Sequence, residues 1–152
     1  MPEEPNMAAQ PSGHGLPTPA DFWHWSSHAY GQRPQAWLEV QTLGGNVNLA
    51  LLLHWLDQAG LIVGPTPLQG ALAETDAVLI PWRALRKRLK PRLDEAECQA
   101  MLAHELALER LQQAALLRAL QALPLLWGES HNLLNYLSLL GAQQGPLRDL
   151  IC

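Results

Sequence analysis

The residues with the most distinctive chemistry are the bases that cluster in residues 83–92. This segment holds six of the ten Lys and Arg residues and no acid, although the chain as a whole has a formal net charge of -4. Four of the bases follow the i, i+3, i+4, i+7 spacing, so on a helix their charges share one side beside an apolar stripe. Such a ridge can meet phosphates or an acidic protein surface. The predicted partner-binding residues are Arg83, Arg86, Lys87, Arg88 and Lys90.

Internal ion pairing is a second interpretation of part of this ridge. Glu105 and Glu109 are spaced i, i+4 inside the apolar arc of a long predicted helix, where carboxylates are costly unless a cation faces them. Arg83 or Arg86 is the candidate cation. For the exposed bases we expect an acidic protein partner. RNA or ribosome binding is the less favoured alternative, because the remaining acidic surface opposes binding to a phosphate backbone.

Three polar residues in otherwise apolar helices are candidates for a small-molecule pocket. His54 interrupts the most apolar helix, where desolvation would favour the neutral ring. Asn48 and Asn132 lie near the starts of two helices, where they could serve as caps, tie the two helix starts together as buried amides, or line a small site. The alternative to an interaction protein is therefore a small-molecule-binding or enzymatic helical protein with its pocket near Asn48, His54 and Asn132.

No motif for a metal, a cofactor or a nucleophile stands out. His104 begins a sequence like that of zinc proteases, but the second histidine of that motif would fall at Leu108. His24 and His28 share one side of a helix, yet no third ligand is indicated, so we predict that they are exposed. We therefore expect no metal and no cofactor, and we favour a non-enzymatic function.

The composition fits one soluble helical domain. The chain has 152 residues, of which 48% are hydrophobic and 16% charged, and six of its nine aromatic residues are Trp. Cys98 and Cys152 are too few for a disulfide framework, which fits a reducing compartment. The start of the chain lacks the features of a secretory signal, and the most apolar stretch, residues 49–63, is too short and too polar to span a membrane. We expect a cytoplasmic protein without a membrane partner.

The elements that position these residues are helices. Pro-rich residues 1–17 predict a flexible tail, and residues 18–152 predict a single compact all-α domain of five to seven helices around a buried central helix. A segment capped by Thr66 is expected to kink or restart at Pro81. The predicted helices span residues 18–31, 34–43, 46–59, 82–90, 94–123 and 130–140, the last with Ser130 as its cap.

Several short motifs occur in order along the chain. They are Phe22-Trp23-His24-Trp25-Ser26, Gly45-Asn46-Val47-Asn48-Leu49-Ala50-Leu51-Leu52 with Trp55, Pro81-Trp82-Arg83 through Arg86-Lys87-Arg88-Leu89-Lys90, Glu109-Arg110, and Asn132-Leu133 with Tyr136. Taken together, they resemble an uncharacterised family of short Leu- and Trp-rich proteobacterial proteins, a domain of unknown function. The resemblance implies a bacterial cytosolic protein, and it supplies no established activity, cofactor or catalytic residue.

Overall fold

In the computed structural model, which describes residues 15–141, the chain forms six α-helices and one two-stranded sheet. Short 3-10 helices at Thr66–Leu68 and Lys90–Arg92 flank α4. This arrangement confirms the predicted all-α fold and its helix number. The elements are α1 (Pro19–Gln32), α2 (Pro34–Thr42), α3 (Val47–Ala59), β1 (Leu61–Ile62), α4 (Gln69–Leu89), α5 (Glu95–Gln121), β2 (Leu126–Trp127) and α6 (Asn132–Leu139).

Local capping explains where three of the helices begin. The Thr18 hydroxyl accepts a hydrogen bond from the Asp21 N–H at 3.1 Å, and the Asn46 side chain accepts one from the Leu49 N–H at 2.9 Å. At α5, Asp94 and Glu97 form a reciprocal capping box. Each cap satisfies an N–H group that the first turn of a helix leaves without a partner.

The central helix is α3, as predicted. Nearly all sides of this helix are apolar, and α1, α2, α5 and α6 accordingly pack around it. Burial of each large apolar side chain contributes roughly 1.5–3 kcal/mol, so this helix holds the domain together. Its buried residues are Asn48, Leu49, Ala50, Leu51, Leu52, Leu53 and Leu56.

The basic segment lies at the end of a long helical hairpin. α4 and α5 run antiparallel, since Arg86 near the end of α4 contacts Glu105, whereas Asp76 nearer its start contacts Gln112. Only the Lys90–Arg92 turn and a few residues join the two helices. The hairpin therefore places the first bases against α5 and the later ones at its exposed tip.

The expected restart of the helix at Pro81 is wrong. α4 continues through Pro81 as one helix, although Pro81 has no N–H to donate to the Ala77 carbonyl. Both residues are exposed, so water can reach that carbonyl. The predicted Thr66 cap is also wrong: its segment begins as a 3-10 helix without a side-chain cap, and α4 starts at Gln69.

The last helix begins two residues later than predicted and does not use Ser130 as its cap. The Asp57 carboxylate of α3 instead accepts hydrogen bonds from the N–H groups of Asn132, at 2.8 Å, and Leu133, at 3.1 Å. The hydroxyl of Ser130 is buried and has no hydrogen-bond partner among the described residues. A carboxylate distant in sequence thus replaces the local cap and fastens α6 to the central helix.

The small sheet was not predicted from the sequence. β1 and β2 pair antiparallel, with Leu61 opposite Trp127 and Ile62 opposite Leu126. Leu16, predicted to lie in the tail, is only 7% exposed and belongs to the core. Residues 1–14 of that tail lie outside the described residues. Within the described part of the chain, no helix combines the length and the apolar character needed to cross a membrane.

Candidate binding cleft and cationic patch

The first two bases of the basic segment form ion pairs with acids of α5. Arg86 Nε donates to Glu105 Oε1 at 2.6 Å, and its Nη2 donates to Oε2 of the same carboxylate at 3.4 Å. Arg83 lies between both acids, with Nε 3.6 Å from Glu105 Oε2 and Nη2 3.5 Å from Glu109 Oε2. Internal pairing of these arginines with Glu105 and Glu109 is therefore confirmed. The Glu105 side chain is only 9% exposed, so its charge depends on these partners.

The same environment shifts two pKa values. The hydrogen bond to Glu105 is the main cause that raises the pKa of Arg86. Burial raises the pKa of Glu109, and the charge of Arg83 opposes that shift. Protonation of Glu109 is therefore easier in the folded protein than in the unfolded chain.

The later bases face solvent. These residues carry no ion pair to any other described residue. They surround the end of α4 and the 3-10 helix that follows it. We call this group the cationic patch: Lys87, Arg88, Lys90 and Arg92.

A cleft with a cavity volume of about 460 Å³ opens beside the ion pairs. Side chains from α1 through α5 line it, and we call it the inner cleft. Trp23 and Tyr30 of α1 and Leu106 of α5 contribute aromatic and apolar walls. Lys87 and Glu109 also line the cleft, so it combines an apolar body with charged groups.

Buried amides form the inner wall of this cleft. Gln113 Nε2 donates to Ser26 Oγ at 2.9 Å and to Asn48 Oδ1 at 3.0 Å, while Asn48 Nδ2 donates to Gln112 Oε1 at 2.9 Å. Gln112 Nε2 in turn donates to Asp76 Oδ1 at 2.8 Å. This chain of hydrogen bonds ties α1, α3, α4 and α5 together. One acceptor in it, Gln113 Oε1, is buried without a hydrogen-bond partner among the described residues.

A second cleft, with a larger volume of about 740 Å³, is lined in part by the residues that precede α3. Asp76 and Tyr136 line it, and it shares Lys87 with the inner cleft. The Tyr136 hydroxyl accepts a hydrogen bond from the Asn46 N–H at 2.9 Å, and burial raises the pKa of Tyr136. Gly45 lets the Leu140 side chain pack closely against the backbone that precedes α3, because a Cβ on Gly45 would lie 2.5 Å from that side chain.

The structure does not bring the three predicted pocket residues together. Asn48 lies in the inner cleft, but neither of the two clefts is lined by His54 or Asn132. Asn132 ties α6 to the segment of β1, donating to the Leu61 carbonyl at 2.7 Å and accepting from the Val63 N–H at 2.9 Å. Asn48 and Asn132 thus connect their helices to different elements.

His54 lies in an aromatic contact and lines neither of the two clefts. Its ring centroid is 5.9 Å from that of Trp25 and 5.8 Å from that of Trp37. Partial burial lowers the pKa of His54, while the charge of Asp57 opposes the shift. The neutral ring expected from the sequence is therefore favoured, although His54 is only partly buried.

Sequence reasoning missed most polar groups of the inner cleft. Gln113 continues the arc of α5 that begins with Glu105 and Glu109, at i+4 from Glu109 and three residues before the buried Leu116. That spacing was a usable signal for a buried amide. Asp76 and Tyr30 gave no comparable signal, because only the packing of four helices brings them to the clefts.

The residues considered for a metal lie apart. His24 and His28 are exposed, and His28 Nε2 lies 3.2 Å from the side-chain nitrogen of Gln32. Among residues 15–141, no three His, Cys, Asp or Glu side chains converge in a group that could hold a metal ion.

Comparison with known proteins identifies a family and no activity. A family model described as "Protein of unknown function (DUF2390)" matches residues 21–116, which span α1 to most of α5 and include the motifs up to Glu109-Arg110. The motif Asn132-Leu133 with Tyr136 lies outside the matched region. No curated protein and no solved structure matches the chain. Because the family model covers more than half of the chain, the protein belongs to the family of proteins of unknown function DUF2390.

Proposed function

We propose that this protein is a non-enzymatic interaction protein that binds an acidic segment of another protein through the cationic patch. The observation that carries the proposal is that Lys87, Arg88, Lys90 and Arg92 are exposed and lack ion pairs to the described residues. Cations near a helix C-terminus are stabilised by the helix dipole. That effect falls off within the last turn of the helix, whereas this patch continues into the next 3-10 helix. The helix dipole alone therefore does not explain the whole patch.

An acidic protein segment fits the patch better than a nucleic acid does. Residues 87–92 span about 10 Å, since the rise is about 1.5 Å per residue in an α-helix and 2.0 Å in a 3-10 helix. The exposed acids Asp94, Glu95 and Glu97 follow directly, so a phosphate backbone extending past the patch would meet like charges. A short acidic peptide can end before them. The motif resemblance supports a bacterial cytoplasm as the setting.

The first test compares two polyanions on the same protein. Fluorescence anisotropy would measure binding of labelled oligoglutamate and of oligouridylate of equal charge. We expect the oligoglutamate to bind more tightly, and the double variant Arg88→Glu, Lys90→Glu to weaken that binding about tenfold or more, as each lost surface contact costs up to about 1 kcal/mol. The matched control is Arg118→Glu, a reversal of an exposed arginine on α5, which should leave the affinity unchanged.

Two outcomes would overturn the proposal. Equal oligoglutamate binding by the parent and the double variant would show that the patch is not the docking surface. Tighter binding of oligouridylate, with a steep decrease in affinity as salt increases, would assign the patch to nucleic acid. Arg86 is unsuitable for such a test, because its reversal would place a third carboxylate beside Glu105 and Glu109 and damage the fold.

A further inference from the structure

The inner cleft contains an acceptor that no other described residue satisfies. Gln113 is 1% exposed, and both hydrogens of its amide nitrogen are used by Ser26 Oγ and Asn48 Oδ1. This fixes the orientation of the amide and leaves Oε1 without a hydrogen-bond partner within residues 15–141. A buried acceptor without a hydrogen bond costs free energy, which a ligand with an O–H or N–H group would recover.

The size and walls of the cleft fit a small organic molecule. Its volume of about 460 Å³ lies within the range of about 300–1,000 Å³ that is common for ligand sites. Trp23 and Tyr30 provide aromatic surface, and Leu38, Leu51 and Leu106 provide aliphatic surface. Arg110 lies over the Trp23 ring at 5.2 Å from its centroid and so fixes one wall. These walls fit a molecule with an apolar or aromatic body.

The charges around the cleft favour an anion. Arg83 and Arg86 are neutralised by Glu105 and Glu109, which leaves Lys87 as the cation of the lining without an ion pair to a described residue. Lys87 is exposed, so it marks the solvent side of the cleft, while Gln113 marks the buried side. A ligand that spans the cleft thus meets an acceptor at one end and a positive charge at the other.

We propose that the inner cleft binds a small amphipathic carboxylic acid whose body carries a hydroxyl or N–H donor. The donor pairs with Gln113 Oε1, the apolar body packs against Trp23, Tyr30 and the leucines, and the carboxylate meets Lys87. Because Oε1 is shielded in the unliganded cleft, the donor enters with a small side-chain shift. This site goes beyond the proposed docking function. The two sites share Lys87, but Arg88 and Lys90 of the cationic patch do not line the cleft, so the two proposals can be tested separately.

The first experiment blocks the cleft without disturbing the core. The probe is 6-anilinonaphthalene-2-sulfonate, an aromatic anion whose N–H donor and sulfonate lie at opposite ends of the naphthalene ring system and whose fluorescence increases on binding. We expect saturable binding at one site, and at least a tenfold loss of affinity in Ser27→Trp, since Ser27 is exposed and lines the cleft. The control His24→Trp adds the same ring at an exposed position of α1 outside the cleft and should bind like the parent.

The second experiment separates the charge from the donor. Lys87→Gln should weaken binding of the sulfonate about fivefold, as expected for one partly exposed ionic contact, but leave binding of the uncharged N-phenyl-2-naphthylamine unaffected. Lys90→Gln is the matched control. The N-methyl derivative of the sulfonate lacks the donor and should bind less tightly than the sulfonate itself.

Each comparison has a result that overturns the site. Unchanged binding in Ser27→Trp, equal effects of Lys87→Gln and Lys90→Gln on the sulfonate, or equal affinity for the N-methyl derivative would each contradict the assigned contacts. The variant Arg88→Glu, Lys90→Glu should keep full sulfonate affinity. Failure of the docking proposal would therefore leave the cleft proposal intact, and failure of the cleft proposal would leave the docking proposal intact.

Discussion

The basic segment has a paired half, at its start, and a solvent-facing half, at its end. Both halves are rich in bases, but their structural roles are opposite. Arg83 and Arg86 face α5 and pair with Glu105 and Glu109, whereas Arg88 and Lys90 face solvent. The difference arises from the packing of α4 on α5, since only the residues on one side of a helix contact the neighbouring helix. The paired half stabilises the hairpin, and the solvent-facing half is available to a partner.

This contrast shows that charge density alone does not define a binding surface. A guanidinium beside a nearly buried carboxylate is part of the packing, and its removal leaves an uncompensated charge. A base at the exposed tip costs little to change. The free energy of unfolding should therefore fall much more in variants of the paired half than in variants of the solvent-facing half.

The largest expected effect is that of Arg86→Met. It removes the cation that donates to Glu105 at 2.6 Å and should lower the free energy of unfolding by roughly 2–3 kcal/mol, less than the fully buried limit because water reaches part of the guanidinium. Urea denaturation measures the loss. Arg86→Met combined with Glu105→Met should recover most of it, because no carboxylate is then left without its partner. A double variant less stable than Arg86→Met would contradict this interpretation.

The second effect tests the amide network next to the paired half. Gln112→Leu removes donors to Thr75 and Asp76 and an acceptor for Asn46 and Asn48. We expect a loss of about 2 kcal/mol in urea denaturation, because several of these partners are half-buried and can regain hydrogen bonds to water. A loss no greater than that from substitution of the exposed Gln99 would show that the network adds nothing.

The third effect is a pH dependence that arises at Glu109, the acid that pairs with Arg83. Burial raises the pKa of Glu109 above its ordinary value of 4.5, so the folded protein binds the proton more tightly than the unfolded chain. The resulting stabilisation is fully present below that ordinary value and is lost as pH rises through the folded pKa. The parent should therefore lose stability relative to Glu109→Gln as pH rises from acid to neutral. A difference in unfolding free energy that is independent of pH would contradict the raised pKa.

The smallest effect belongs to the solvent-facing half. Arg88→Met should change the free energy of unfolding by less than about 0.5 kcal/mol, as is usual for a surface position without a specific contact. Thermal and urea unfolding of this variant, compared side by side with Arg86→Met, give the direct contrast. A loss comparable to that of Arg86→Met would mean that the two halves are not different in kind.

Much of the fold was predictable because local signals specify helices. The caps at Thr18, Asn46 and Asp94 and the nearly continuous apolar character of α3 led to correct helix positions and to the correct central helix. Pro81 misled the prediction, since the loss of one exposed hydrogen bond did not break a helix that packs along α5. Asp57 could not be identified as the cap of α6, because residues far apart in sequence form that contact.

For the candidate sites, the sequence alone determined the cationic segment, its two candidate acidic partners and the helices that carry them, because charge and periodicity are local properties of the chain. Only the tertiary structure decided which bases are neutralised and that Asn48, His54 and Asn132 occupy separate places. It also decided that Gln113 Oε1, beside a cleft, has no hydrogen-bond partner in the part of the chain that the structure describes. Such facts depend on how several helices pack, and a hydrogen bond or an ion pair forms only between groups that packing brings within about 3–4 Å.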